Sequence, residues 1–231
     1  MMDAGKPASR KAALIDLFIV VAVLVGVKQS LLPFTTLYAG PVSTGLAMIV
    51  ATYLLWRRKS GWQVLGFRWP ERWFRTFGYT ALCFLAYVGT IVIFRPIAEL
   101  LFENVGTSGR FAHVEGNLSA YLVMLVLVWS HSAFFEELLF RAFIISKTSL
   151  ALGQGRKKEI IAVIVAATFF GYRHYYYQGF FGALITGGVG LVFGFLYLWL
   201  RNTTILPLIF AHGIINTIGQ TARFIGGEEL D

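Results

Sequence analysis

The chain has 231 residues, 57% of them hydrophobic and only 14% charged, and its mean hydropathy is +0.67. A soluble domain averages about 25% charged residues, so an ordinary soluble domain, a disordered chain and a fibrous one are excluded, and an all-α, polytopic transmembrane helix bundle is expected. The net charge of +8 falls in short clusters between apolar runs, which points to loops facing anionic lipid and not to nucleic acid, and the single cysteine, Cys83, excludes an internal disulfide framework or a Cys-rich zinc site.

Lys6, Arg10 and Lys11 precede the first apolar run, at about 12–33. The run is long and no small-x-small cleavage site follows it, so it reads as a retained helix and not as a removed signal. Asp16 and Lys28 lie toward its ends, where each can snorkel to water. A second run covers 36–56. The stretch Gly61–Trp73 after it mixes Trp62, Trp69 and Trp73 with arginine, and reads either as an interfacial segment at the headgroups or as a plain connecting loop. A third run, 76–95, leads into an irregular 96–117 loop that contains His113. Further runs follow at 118–146, 159–176, 180–200 and 203–222, making seven crossing segments, with an eighth short or re-entrant element as an alternative.

Loop charge sets the orientation. The N-terminus, the 57–75 stretch (Arg57, Arg58, Lys59, Arg68, Arg72, Arg75), the 147–158 stretch (Lys147, Arg156, Lys157, Lys158) and Arg201 fall on one side under alternating topology and hold most of the 20 basic residues. The opposite loops hold Arg95, Arg110 and Arg223 with Glu99, Glu103, Glu115, Glu228, Glu229 and Asp231. The positive-inside rule then makes the N-terminus cytoplasmic. Seven spans put the C-terminus outside, and an eighth element reverses that.

An ionisable group inside a membrane helix needs a reason. The fourth segment contains Glu136, Glu137 and Arg141, the fifth ends on His174, and the seventh contains His212 and Asn216. Glu137 and Arg141 are four apart, on one helical face, and can neutralise each other. Glu136 is turned by about 100° from Glu137 and is left to face a cavity. His212 and Asn216 share a face, as do Phe170 and His174. Glu136 lies 11 residues before Lys147 and His212 lies 11 after Arg201, which puts both roughly 16 Å from the basic side at a rise of ~1.5 Å per residue. His174 is nominally deeper, at about 24 Å, unless the polar start of its helix protrudes. Glu136, His174 and His212 are therefore expected to meet near mid-bilayer. His131, five residues before Glu136 and off its face in an α-helix, is expected to have a packing role, and His113 to be a loop histidine.

Small residues recur at Gly182, Thr186, Gly190 and Gly194 and at Gly179, Ala183 and Gly187. Such stripes let helices approach closely. Contacts inside this bundle are expected, with a homodimer the alternative that is not favoured. Tyr172, Tyr175, Tyr176 and Tyr177 read as an interfacial belt, with the lining of a substrate entrance as the alternative.

Three polar motifs carry a resemblance. Glu136-Glu137-Leu138-Leu139-Phe140-Arg141 has the form EExxxR, Phe170 to His174 the form FxxxH, and His212 to Asn216 the form HxxxN. In this order, on separate apolar helices, they resemble the CAAX protease and bacteriocin-processing family of intramembrane proteases, which includes the type II CAAX prenyl endopeptidases. The match covers about 118–222, inside what reads as a single integral membrane domain over 1–231. The resemblance implies an endopeptidase that hydrolyses a peptide bond. Glu136 and His174 would position and deprotonate water, and His212 and Asn216 would hold the oxyanion as N–H donors. Glu137, with Arg141 and Phe170, would support the site, though the two Glu roles could be exchanged. Glu136, His174 and His212 also make an acceptable catalytic zinc set. The expectation leans to a water bound without any cofactor.

Other protease designs lack their residues. There is no HExxH and no GxSxG, and aspartate occurs only at Asp3, Asp16 and Asp231. The partners expected are membrane lipid and a protein or peptide substrate, in a bacterial plasma membrane as judged from the compact chain. Two other functions fit the polar set: a non-catalytic membrane binding or immunity protein that keeps the site, and a proton-coupled transporter with a Glu/His relay. No inverted repeat favours the transporter.

Overall fold

The computed structural model describes residues 9–104, 106 and 108–226. Asp3, Lys6, Glu228, Glu229 and Asp231, which enter the charge and motif readings above, lie outside the described residues. Within the described residues the chain is a helical bundle without strands. Helix α1 is Arg10–Leu31, α2 is Ala39–Arg57 and α3 is Trp73–Leu101; α4 is the continuous helical stretch Leu118–Leu152. The stretch Arg156–Leu200 reverses at Gly179, whose φ of 62° and ψ of −165° suit glycine alone. It is therefore two helices, α5 (156–178) and α6 (180–200). Helix α7 is Leu206–Phe224.

α1, α2, α3, α4 and the Arg156–Leu200 stretch are long and apolar enough to cross a membrane. With that last stretch folded in two and α7 beside it, all seven expected segments are helical. α7 has the length of a crossing helix but not the hydropathy of the others. The end of α3 moves. α3 continues through Pro96 to Leu101, so the 96–117 loop is shorter than expected, and it also holds a helical turn at Ser108–Phe111. His113 is exposed in a tight turn there, as a loop histidine.

The α5–α6 hairpin explains the small residues. A methyl group on Gly171 would lie 2.5 Å from the Ala183 carbonyl oxygen, one on Gly190 would lie 3.2 Å from Ala167 Cα, and one on Gly194 would lie 2.6 Å from Val163 Cγ1. Ala183, Gly187, Gly190 and Gly194 thus form the face on which α5 rests at near-backbone distance. Gly182 and Thr186 turn elsewhere, toward Gln178, which accepts a 2.9 Å hydrogen bond from Thr186.

The core is built around the second half of α4, where Glu137 to Ile145 are all buried, and the first half of α7. The outer faces of α1 and α3 display Phe18, Phe74, Leu85 and Leu100, as lipid-facing helices do.

The end of the bundle nearest Arg10 is tied together by charge. Asp16 is fully buried and accepts from Arg58 at 2.9 Å and from Lys147 at 2.8 Å. Glu159 pairs with Arg201 at 2.6 Å. The expected snorkelling of Asp16 is overturned: its neutralising partners come from α4 and from the residue after α2, and sequence distance hides them. Lys147, read above as a loop residue, is buried in α4 as one of those partners. The Gly61–Trp73 stretch closes this end. The Trp62 indole N–H donates to Thr52 at 3.1 Å, the Leu65 carbonyl accepts from Tyr197, and Phe67 packs edge-on against Phe134. Trp69 alone of its three tryptophans is broadly exposed. The stretch is thus docked against this end of the bundle.

Candidate active site

A cavity of about 500 Å³ opens toward the opposite end of the bundle. Its walls come from the distal ends of α1, α3, α5 and α7, the starts of α2 and α6, the first half of α4, and Asn104, Gly106, Arg110 and Phe111 between α3 and α4. Glu136, His174, His212, Asn216 and Phe170 all line it. Glu137 and Arg141 sit behind the wall.

Helix α4 departs from α-helical winding on both sides of Glu136. Val128–Phe135 and Glu137–Ile145 are wound as π-helix, and the Glu136 N–H donates to the His131 carbonyl five residues back. Bonding from i to i+5 widens the turn and is frequent at functional sites. It also brings residues five apart onto one face. His131 Nε2 consequently lies 3.4 Å from Glu136 Oε1 and 3.2 Å from Thr44 Oγ1, and the ring lines the cavity. His131 thus shares a face with Glu136, which a helix of 3.6 residues per turn does not predict.

The two glutamates are distinguished by their partners. Glu137 is fully buried, with Oε1 accepting from His212 Nδ1 at 2.8 Å and Oε2 lying 3.2 Å from Arg141 Nε. Glu136 faces the cavity and touches His131. Arg141 stacks over Phe170, 4.3 Å from the ring centroid, and Phe170 in turn contacts the His174 ring at 4.6 Å. A buried guanidinium with few hydrogen bonds gains from such an aromatic face.

The tautomers of both histidines follow from their acceptors. His174 Nδ1 lies 2.8 Å from the Phe170 carbonyl, which can only accept, and His212 Nδ1 meets a carboxylate oxygen. Both Nδ1 atoms therefore carry the proton, and both Nε2 atoms hold the lone pair in the neutral ring. That arrangement suits proton uptake from water. Two such nitrogens and a carboxylate would also suit zinc, but among the described residues no three His, Cys, Asp or Glu side chains gather as a metal site.

Two cavity residues give no motif signal in the sequence. Arg173, beside His174, donates to the Leu24 carbonyl at 2.7 Å and to Ser43 and Thr44 at 3.1 Å. Lys28 donates to the Arg173 carbonyl and lies 3.7 Å from the Tyr176 ring centroid. Lys28 is buried, so its expected snorkelling is overturned as well. The tyrosine run divides: Tyr176 and Tyr177 line the cavity, while Tyr172 and Tyr175 are exposed on the outside as a belt would be.

Residues 118–218 match the family model described as type II CAAX prenyl endopeptidase Rce1-like. The match runs from the start of α4 into α7 and includes every residue of the three motifs. Neither the curated proteins nor the solved structures yielded a match.

Proposed function

We propose that this protein, whose residues 118–218 are an Rce1-like domain, is an intramembrane endopeptidase that hydrolyses a peptide bond in the cavity lined by Glu136. The observation that carries the reading is the contrast between neighbouring carboxylates: Glu137 is engaged by His212 and Arg141, and Glu136 is presented to the cavity.

Glu136 and His174 together orient a water, and Glu136 removes its proton as the oxygen attacks the carbonyl carbon. Asn216 offers an amide N–H₂ to the oxyanion. His212 joins it once Nε2 carries a proton, with Glu137 holding the ring in register through Nδ1. The proton then passes to the leaving amine. No step is routed through a metal ion. Chelation by 1,10-phenanthroline should leave turnover unchanged; activity lost on chelation and restored by Zn²⁺ would overturn that part of the mechanism.

The N-terminus is cytoplasmic by the charge rule, so the cavity opens toward the outer side of a bacterial plasma membrane. The substrate is a peptide segment of another membrane or exported protein. Comparative membrane proteomics of cells carrying wild type or Glu136→Ala tests the whole reading. One precursor should accumulate in the variant. Purified Glu136→Ala and His174→Ala should remain folded and fail to cleave that precursor; undiminished turnover by both removes the proposal.

A further inference from the structure

Thr44 lies in α2, outside residues 118–218 and far along the chain from all three motifs. It is fully buried, and its hydroxyl is met from two sides. Arg173 Nη2 donates to Thr44 Oγ1 at 3.1 Å, and His131 Nε2 lies 3.2 Å from the same oxygen. Arg173 also donates to the Leu24 carbonyl at 2.7 Å and to Ser43 Oγ at 3.1 Å. Acceptors on α1 and α2 therefore fix the guanidinium, and the guanidinium fixes the Thr44 hydroxyl.

The donors and acceptors also set the state of His131. Glu136 is ionised as the base of the proposed reaction, and its Oε1, 3.4 Å from His131 Nε2, can then only accept. Thr44 Oγ1 has a second lone pair beside the one that Arg173 takes. The Nε2 atom of His131 is thus the protonated one, with its N–H between Thr44 and Glu136, and Nδ1 accepts from Ser132 Oγ at 3.3 Å. That tautomer is the opposite of those of His174 and His212. A continuous chain results, from Arg173 on α5 through Thr44 on α2 to His131 and Glu136 on α4.

We propose that Thr44 is a positioning residue of the peptidase site, which fixes, through the His131 ring, the direction in which the Glu136 carboxylate meets the attacking water. This rests on the endopeptidase reading and extends its apparatus into α2. Thr44 lies behind the cavity wall and touches no reacting atom. Loss of its hydroxyl leaves the His131 ring with one anchor fewer and a soft ring torsion, and a small misplacement of a reacting group is enough to slow a reaction. Because no contact with the substrate changes, the effect belongs to kcat and not to KM.

The test uses full-length protein in phosphatidylcholine nanodiscs, with the precursor that accumulates in Glu136→Ala cells as substrate. Thr44→Val keeps the shape and removes the hydroxyl. It should lower kcat about five- to a hundredfold, the range for a buried group left without its partner, with KM changed by less than about twofold. Thr44→Ser should recover most of the loss. In His131→Ala protein, Thr44→Val should have almost no further effect on kcat, because the chain is already cut. A merely structural role, as an acceptor for buried Arg173, predicts instead that the two losses multiply. Undiminished kcat in Thr44→Val overturns the proposal, as do losses that multiply, a loss confined to KM, or no recovery with Thr44→Ser. If Thr44→Val does not fold, Thr44→Ala is read in the same way, and failure of both to fold assigns Thr44 to the fold and overturns the proposal. Cleavage by wild type that Thr44→Val leaves intact removes this proposal alone, whereas no cleavage by wild type removes the endopeptidase reading and this proposal with it.

Discussion

Glu136 and Glu137 are adjacent in sequence, and their surroundings differ. Glu137 meets His212 Nδ1 at 2.8 Å and in the proposed reaction only orients that ring. Glu136 is the base of the proposed reaction, and removal of a general base costs about 10²- to 10⁴-fold. Glu136→Gln should therefore reduce kcat far more than Glu137→Gln. Kinetics of both variants on one cleaved precursor check this, and the reverse order would exchange the roles. His131 supplies a further contrast. It touches the Glu136 carboxylate and the Thr44 hydroxyl, so His131→Ala should lower turnover while the thermal unfolding midpoint changes little. A variant with full activity would return His131 to packing.

At the scale of the element, the winding of α4 and the closeness of α5 to α6 matter most. The spacing of Glu137 and Arg141 survives the π-turns, so that pair was legible in the sequence. The contact of His131 with Glu136 was not, because hydrophobic pattern alone does not show where a helix widens. The small residues of α6 were legible as a packing stripe, but which of them face α5 depended on the reversal at Gly179. Gly194 has Val163 at its back, and Gly194→Ala should destabilise by about 1–3 kcal/mol through overpacking. Gly78 in α3 has open space around it, and Gly78→Ala should stabilise by up to about 1 kcal/mol through helix propensity. Thermal unfolding in one detergent compares the two; equal effects would remove the close-packing account of the stripe.

Across the whole molecule, charge is arranged at the two ends for different ends of the function. Near Arg10, Asp16 is neutralised by Arg58 and Lys147 and ties α1 to α2 and α4. Asp16→Ala should destabilise by about 3–5 kcal/mol, since it strands a buried lysine. Adding Lys147→Met should recover most of the loss. Unfolding of the single and double variants measures this, and additive losses would show that the ion pair is incidental. At the other end Lys28, Arg110 and Arg173 line a cavity and form no ion pair among the described residues, which is the arrangement expected of a binding site and not of a structural clamp.

Hydropathy announced a helical bundle and its segments because the apolar solvent acts on each helix separately, residue by residue. The three motifs were readable for the same reason: spacings of four are local. The partners of Asp16, the burial of Lys28 beside Arg173, the tautomers of His174 and His212, and the gathering of Arg110 into the cavity wall depend on groups that lie far apart along the chain. No local pattern encodes them, since a charge buried among helices is explained by whatever the packing brings opposite it, and that is known only when the helices are in place.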